Sequence, residues 1–147
     1  MPPAWSLRQS LASDSSWIAE LRAVVMRPDL ERLELWDPVW VRERFLRGFH
    51  PEHTSVIEVE GAVVGVIAVR PETDEQWIEH FYLAPEYQGQ GLGSAVLGHV
   101  MTMQRDHRPF RLNVLKGSPA RRLYERHGFV YEHEDSVDVF LIAETGL

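Results

Sequence analysis

The apolar positions of this chain recur at two spacings, and the points where one spacing gives way to the other mark out its elements. Trp17, Ile18, Leu21, Val24 and Val25 recur at the helical period, which predicts a helix capped by Ser13 or Asp14 and running through about Met26. Asp37-Pro38, a cap followed by proline at the first helical position, starts a second helix to Phe49 with Trp40, Val41, Phe45 and Leu46 on its apolar side. A third helix runs from about Gly91 to Arg105, carrying Leu92, Val96, Leu97, Val100 and Met101 on one face. A fourth is capped by Ser118-Pro119 and ended by Gly128. Between them lie strand-like runs: Trp5 to Ser10, Thr54 to Val59, Ala62 to Arg70, Gln76 to Leu83, Phe110 to Leu115, Phe129 to Glu132 and Val137 to Ile142. Glu60-Gly61 joins the second and third as a hairpin. The order is strand, two helices, three strands, helix, strand, helix, two strands. It predicts one α/β domain over residues 1–147, a mixed and mostly antiparallel sheet of about seven strands flanked by about four helices.

Composition narrows what such a domain can do. With 147 residues, 44% of them apolar, the chain is long enough for a single core. Acidic residues outnumber Lys and Arg by 22 to 15, and no basic cluster interleaves with aromatics, so nucleic acid is a poor partner. The absence of cysteine excludes disulfides, thiolate metal sites and a cysteine nucleophile. The first residues lack the charged and apolar regions of a signal peptide, and no apolar run approaches membrane-spanning length; a cytoplasmic protein with no membrane partner is the expectation.

Chemistry concentrates in Tyr87-Gln88-Gly89-Gln90-Gly91-Leu92-Gly93-Ser94. Three glycines at alternate positions follow a strand and a proline and open onto an apolar helix. Residues without a Cβ let the chain turn tightly with several N–H groups aimed at one spot, and the helix adds the positive end of its dipole, so a phosphate-bearing ligand fits. A dinucleotide fingerprint would need GxGxxG, but Ser94 stands where the last glycine falls; a phosphate loop would need GK followed by Ser or Thr. A plain glycine turn joining strand to helix is the alternative.

The run from Phe81 to Gly93 resembles the acetyl-CoA signature of GCN5-related N-acetyltransferases, (Q/R)xxGx(G/A), with Gln88, Gly91 and Gly93 in its defined places. Pro119 to Phe129 is similar to the family's helix that bears a tyrosine and closes on Gly-Phe. Many members have asparagine before the Pro-Ala of that helix, where this chain has Ser118. The resemblance implies the acyl-CoA N-acyltransferase fold and acetyl-CoA as co-substrate, without a metal. It also implies that Gln88, Gly89, Gln90, Gly91, Leu92, Gly93 and Ser94 clasp the pyrophosphate and that the edge of Phe81, Tyr82 and Leu83 pairs with the pantetheine. Ser118 takes the asparagine's place, and an N–H near Leu83 becomes the oxyanion donor.

Tyr124 shares a helix face with Ala120, Leu123 and His127 and is the candidate general acid; a tyrosine simply packed in the core is the alternative. Strict alternation puts Trp77, Glu79, Phe81 and Leu83 on one face and Ile78, His80 and Tyr82 on the other, so Glu79 is the first choice of base and His80 the second. Gly65 marks a bulge or a close backbone approach, His50 and His53 lack further ligands for a metal, and Trp36 and Glu34 are candidates to touch substrate. The expected activity is transfer of an acetyl group to a primary amine, on a small molecule or peptide, by direct attack. A catalytically silent acyl-CoA sensor and a nucleotide-binding protein are the competing readings. Pairing of final strands, common in this family, allows a homodimer.

Overall fold

In the computed structural model, which describes residues 2–147, the strands are β1 (Trp5–Gln9), β2 (Thr54–Val59), β3 (Ala62–Pro71), β4 (Gln76–Leu83), β5 (Phe110–Leu115), β6 (Val130–Glu134) and β7 (Asp138–Ala143). The helices are α1 (Ser15–Arg32), α2 (Pro38–Gly48), α3 (Leu92–Gln104) and α4 (Ala120–Arg126). The strands form one sheet in the order β1-β2-β3-β4-β5-β7-β6, antiparallel throughout except where β4 meets β5. Helices cover both faces. Leu92, Val96, Leu97 and Val100 of α3 and Tyr124 of α4 pack with Ile67, Val69, Leu112 and Leu141 on one side. Ile18 and Ala19 of α1 and Phe45 of α2 pack with Val56, Val66 and Tyr82 on the other.

Most element boundaries fall where the pattern places them, and the exceptions have physical causes. Helix α1 runs past Met26 to Arg32, straight through Pro28. Proline there forfeits one backbone hydrogen bond, yet the last turns bury Leu30 and carry the Arg27–Glu31 and Arg32–Asp29 ion pairs. Asp14 sits at the start of α1 but does not cap it; its carboxylate accepts from Leu11 N–H, Trp17 Nε1 and Arg8. Asp37 caps α2 as predicted, its Oδ1 accepting from Val39 and Trp40 N–H at 3.0 Å each. Of that helix's apolar side, Val41 and Phe45 are buried, while Trp40 and Leu46 are each 48% exposed.

Two irregularities shape the centre of the sheet. Register shifts between Ile57 and Glu58, where Gly65 brings β3 against β4; a Cβ there would lie 2.3 Å from the Tyr82 carbonyl oxygen. The second lies in β4 itself. Val66 faces Tyr82 and Ala68 faces Glu79, so three steps along β4 match two along β3, and His80 takes up the extra residue at φ +51°. This bulge overturns the strict alternation expected for β4. Ile78, Phe81 and Leu83 end up on the α3–α4 side, and His80 and Tyr82 face α1 and α2. Glu79 joins them, paired with Arg70 two residues beyond Ala68 on β3.

Gly65→Ala should therefore destabilise the protein by about 1–3 kcal/mol, the usual cost of overpacking against an immovable neighbour. Thermal unfolding would show this as a Tm lower by several degrees; an unchanged Tm would mean that β3 and β4 are not held this close.

Candidate active site

Strand β4 meets β5 only through Gln76–Phe110 and Trp77–Arg111. Beyond those pairs the strands diverge, and among the described residues the edge of β4 from Ile78 to Leu83 has no partner strand on that side. Ala84 N–H donates to the Val64 carbonyl at 2.8 Å. Antiparallel pairs alternate, so the neighbouring Leu83–Gly65 pair is of the non-hydrogen-bonded kind and the Leu83 main-chain groups point into the gap. Gln88 Nε2 donates to the Leu83 carbonyl at 2.9 Å, leaving the Leu83 N–H open there. By the same alternation Tyr82 spends its main-chain groups on Val66.

The glycine turn stands at the end of this edge. Gly89 and Gly91 have φ of +74° and +82°, values that favour glycine, and Gly91 is the left-handed residue from which α3 starts. The first helical bond is Ala95 N–H to the Gly91 carbonyl at 3.0 Å, and the N–H groups from Gly89 to Ser94 find no acceptor among the described residues. Gln90 Nε2 donates to the Glu86 carbonyl at 2.8 Å and braces the turn. Gly93 lets α3 sit close to Leu83, Leu123 and Phe81, where a Cβ would be 3.4–3.9 Å from their side chains. Leu92 is wholly buried, so only its backbone is on offer, and the Ser94 hydroxyl is tied to His127 Nε2 at 2.8 Å. The turn is thus a surface of unsatisfied donors at a helix N-terminus, suited to a diphosphate.

A cleft of about 1070 Å³ opens beside the gap, walled by β4 and β5, by α1 and α2, and by the start of α4. Tyr124 is 8% exposed, its ring edge-on to Phe81 and Phe129, and its hydroxyl is bonded to no group among the described residues. Burial pushes its pKa up, so the phenol stays protonated and is free to donate to whatever enters the cleft. Ser118 also lines the cleft, its hydroxyl accepting from Ala120 N–H at 3.3 Å at the start of α4.

On the α1–α2 side, the bulge sets Glu79 and His80 in sequence along one wall. Glu79 Oε1 accepts from Arg70 Nε at 3.0 Å, and Oε2 has no hydrogen-bond partner among the described residues. His80 packs edge-on against Phe45, and its Nδ1 lies 3.1 Å from the Tyr82 hydroxyl, which also accepts from Arg22 Nη1 at 2.6 Å. Burial, and then the positive charge of Arg22 and Arg44, bring the His80 pKa down to about 4. The imidazole is therefore neutral at physiological pH.

Among the cleft residues that the sequence pattern did not single out are Arg22, Arg44, Asn113 and Asp138. Arg22 and Arg44 lie on helices whose positions over the sheet no local signal reveals. Asn113 and Asp138 face the cleft only because β5 and β7 pair. Burial raises the Asp138 pKa, opposed by a hydrogen bond to Asn113. Conversely, Trp36 stacks beneath Arg27 at 4.8 Å and does not line the cleft, nor does Glu34; Leu35, Asp37 and Trp40 do.

A sheet parted between its two central strands, a glycine turn leading into a helix at the parting, and a tyrosine helix across it define the acyl-CoA N-acyltransferase class of fold. Solved structures of that class align along nearly the whole chain. The PaiA N-acetyltransferase of Thermoplasma acidophilum, in complex with coenzyme A, has a TM-score of 0.79 at 16% identity, covering 96% of this chain and 99% of its own. An N-acetyltransferase from Staphylococcus aureus Mu50 gives 0.72 at 20%, covering 94% and 100%, and the ribosomal-protein-S18-alanine N-acetyltransferase of Escherichia coli 0.72 at 18%, covering 97% and 94%. No curated protein matches in sequence. The model of the Acetyltransferase (GNAT) domain matches residues 50–131, more than half of the chain, and the chain belongs to that family.

Because folding lowers the His80 pKa from 6.5 to about 4, the unfolded chain binds the extra proton between those values. Its contribution is complete above pH 6.5 and is lost as the pH falls toward 4, on the order of 1–3 kcal/mol in all. Asparagine tolerates positive φ, so denaturant titrations of His80→Asn should show a shallower loss over this window than the parent. Parallel curves would refute the buried, neutral imidazole.

Proposed function

We propose that the protein is an N-acetyltransferase that moves the acetyl group of acetyl-CoA to a primary amine by direct attack in a ternary complex. The observation that carries this reading is the open β4 edge, with an unpaired Leu83 N–H in the gap and the free Tyr124 hydroxyl across it. The glycine turn holds the diphosphate through backbone N–H groups, and the pantetheine lies along the Leu83 edge as an added strand would. That places the thioester between β4 and β5, and the Leu83 N–H is positioned to stabilise the developing oxyanion.

The amine reaches the thioester from the α1–α2 side. It must be neutral to attack, and Glu79 is its base: an anion whose Oε1 is fixed by Arg70 while Oε2 is available to take a proton, directly or through water. His80 is the second choice, because its Nδ1 is already engaged with the Tyr82 hydroxyl and its ring packs against Phe45. The neutral amine nitrogen forms a bond to the carbonyl carbon, the tetrahedral intermediate collapses with cleavage of the C–S bond, the thiolate takes a proton from the Tyr124 hydroxyl, and the proton that the nitrogen sheds on becoming an amide returns to the Tyr124 oxygen. The products are the acetamide and coenzyme A. No acyl-enzyme stage is required.

Tyr124→Phe should lower kcat by about a hundredfold or more while leaving the KM for acetyl-CoA nearly unchanged, since general acid catalysis contributes that much to the chemical step and nothing to binding. Glu79→Gln should lower kcat/KM and remove the acidic limb of its pH profile. Absence of turnover by the parent protein on a broad amine panel, with acetyl-CoA binding intact, would point instead to a silent acyl-CoA sensor. Acetyl-CoA should also raise the Tm more than ATP or NAD at equal concentration; the reverse order would make this a nucleotide-binding protein.

A further inference from the structure

The helical wall of the cleft carries more positive charge than its own carboxylates neutralise. Four arginines line the cleft, two of them already engaged: Arg70 of β3 by Glu79 and Glu72, and Arg47 of α2 by Glu43 at 3.9 Å. The other two, Arg22 of α1 and Arg44 of α2, have no carboxylate partner among the described residues. Arg22 is 7% exposed, and its acceptors are neutral: Nε donates to the Val41 carbonyl at 2.9 Å and Nη1 to the Tyr82 hydroxyl at 2.6 Å. Withdrawing a guanidinium from water with no counter-ion costs several kcal/mol, which an arriving anion would offset. Arg44 makes no hydrogen bond among the described residues, and its charge acts on both His80 and Asp138, residues on opposite sides of the β4–β5 gap.

The cleft's own acids are otherwise committed. Asp29 pairs with Arg32 at 2.9 Å, Asp37 caps α2, and Asp135 accepts from the Val137 and Asp138 N–H groups. On the sheet, Glu79 keeps its Oε2 open beside its Arg70 partner and Asp138 has no ion-pair partner among the described residues, and the two flank the gap where the thioester lies. The site is therefore bipolar, with free cations on the helix layer and carboxylates on the sheet.

We propose that the acceptor is a small primary amine that also carries a carboxylate, an amino-acid-type zwitterion: Arg22 and Arg44 bind the carboxylate, and the amine lies between Glu79 and Asp138. The assignment rests on the acetyltransferase reading. Coenzyme A's own phosphates do not compete for these arginines, because the glycine turn lies outside the cleft walls. A guanidinium pair suits a carboxylate because its fork of donors matches the two oxygens.

The test is thiol release from acetyl-CoA with the common amino acids, each beside its methyl ester and, where one exists, its decarboxylated amine. The best amino acid should exceed both counterparts in kcat/KM by at least about tenfold, the value of one charge-assisted hydrogen bond. Arg44→Ala, a change at an exposed position, should lower that ratio several-fold, with Arg22 keeping the remainder, and Arg44→Lys should lower it less; an unchanged ratio in Arg44→Ala would overturn the assignment. If esters and decarboxylated amines are acetylated as well or better, the proposal is wrong while the acetyltransferase reading stands. If nothing is acetylated, that reading fails on its own, and thermal shift with coenzyme A bound decides the anion site. Stabilisation by amino acids over their esters, reduced in Arg44→Ala, upholds the site; equal shifts for both overturn it.

Discussion

The site depends on one extra residue in β4. Because three steps of β4 face two of β3, the strand bends away from β5 after Trp77, and the edge that a regular sheet would have covered stays open. An unpaired strand edge inside a sheet is normally a liability. Here it becomes the wall along which a ligand with amide groups can be laid. The cost sits at His80, whose φ of +51° is one that residues other than glycine rarely adopt, worth roughly 1 kcal/mol or more. Packing against Phe45 and the contact with the Tyr82 hydroxyl hold it in place.

The same bulge divides the work between the faces of the sheet. Phe81 and Leu83 turn toward α3 and α4, where Gly93 admits close packing and Tyr124 rests against Phe81. Glu79 and His80, adjacent in sequence, both turn toward α1 and α2. Unpaired backbone donors thus lie at one end of the split and the Glu79 carboxylate and His80 imidazole at its side, with the Leu83 N–H between them. Charge follows the same division. A chain of net charge −7 nonetheless places unpaired arginines on the helical side of its cleft, so the local field there opposes the molecule's overall sign.

The glycine turn was legible because its requirement is local: positive φ at Gly89 and Gly91 is a property of the backbone that only the residue type need satisfy. The strand limits of β2, β4 and β5 and the cap at Asp37 were legible for the same reason. The end of α1 was not. Pro28 argues locally for a stop, and only the burial of Leu30 beneath α2 outweighs it. The faces of β4 were misassigned because period-two alternation assumes an unbroken ladder, and nothing between Glu79 and Phe81 announces an inserted residue.

What the sequence determined alone was therefore everything set by a residue's own backbone and its near neighbours: the element order, the glycine turn with its positive φ angles, and the tyrosine on the last helix. Tertiary structure decided which side chains share the cleft. It brought Arg22, Arg44, Asn113 and Asp138 together from α1, α2, β5 and β7, because strand pairing and helix docking act between residues far apart in the chain. Their charges acquire meaning only once burial has removed the water between them.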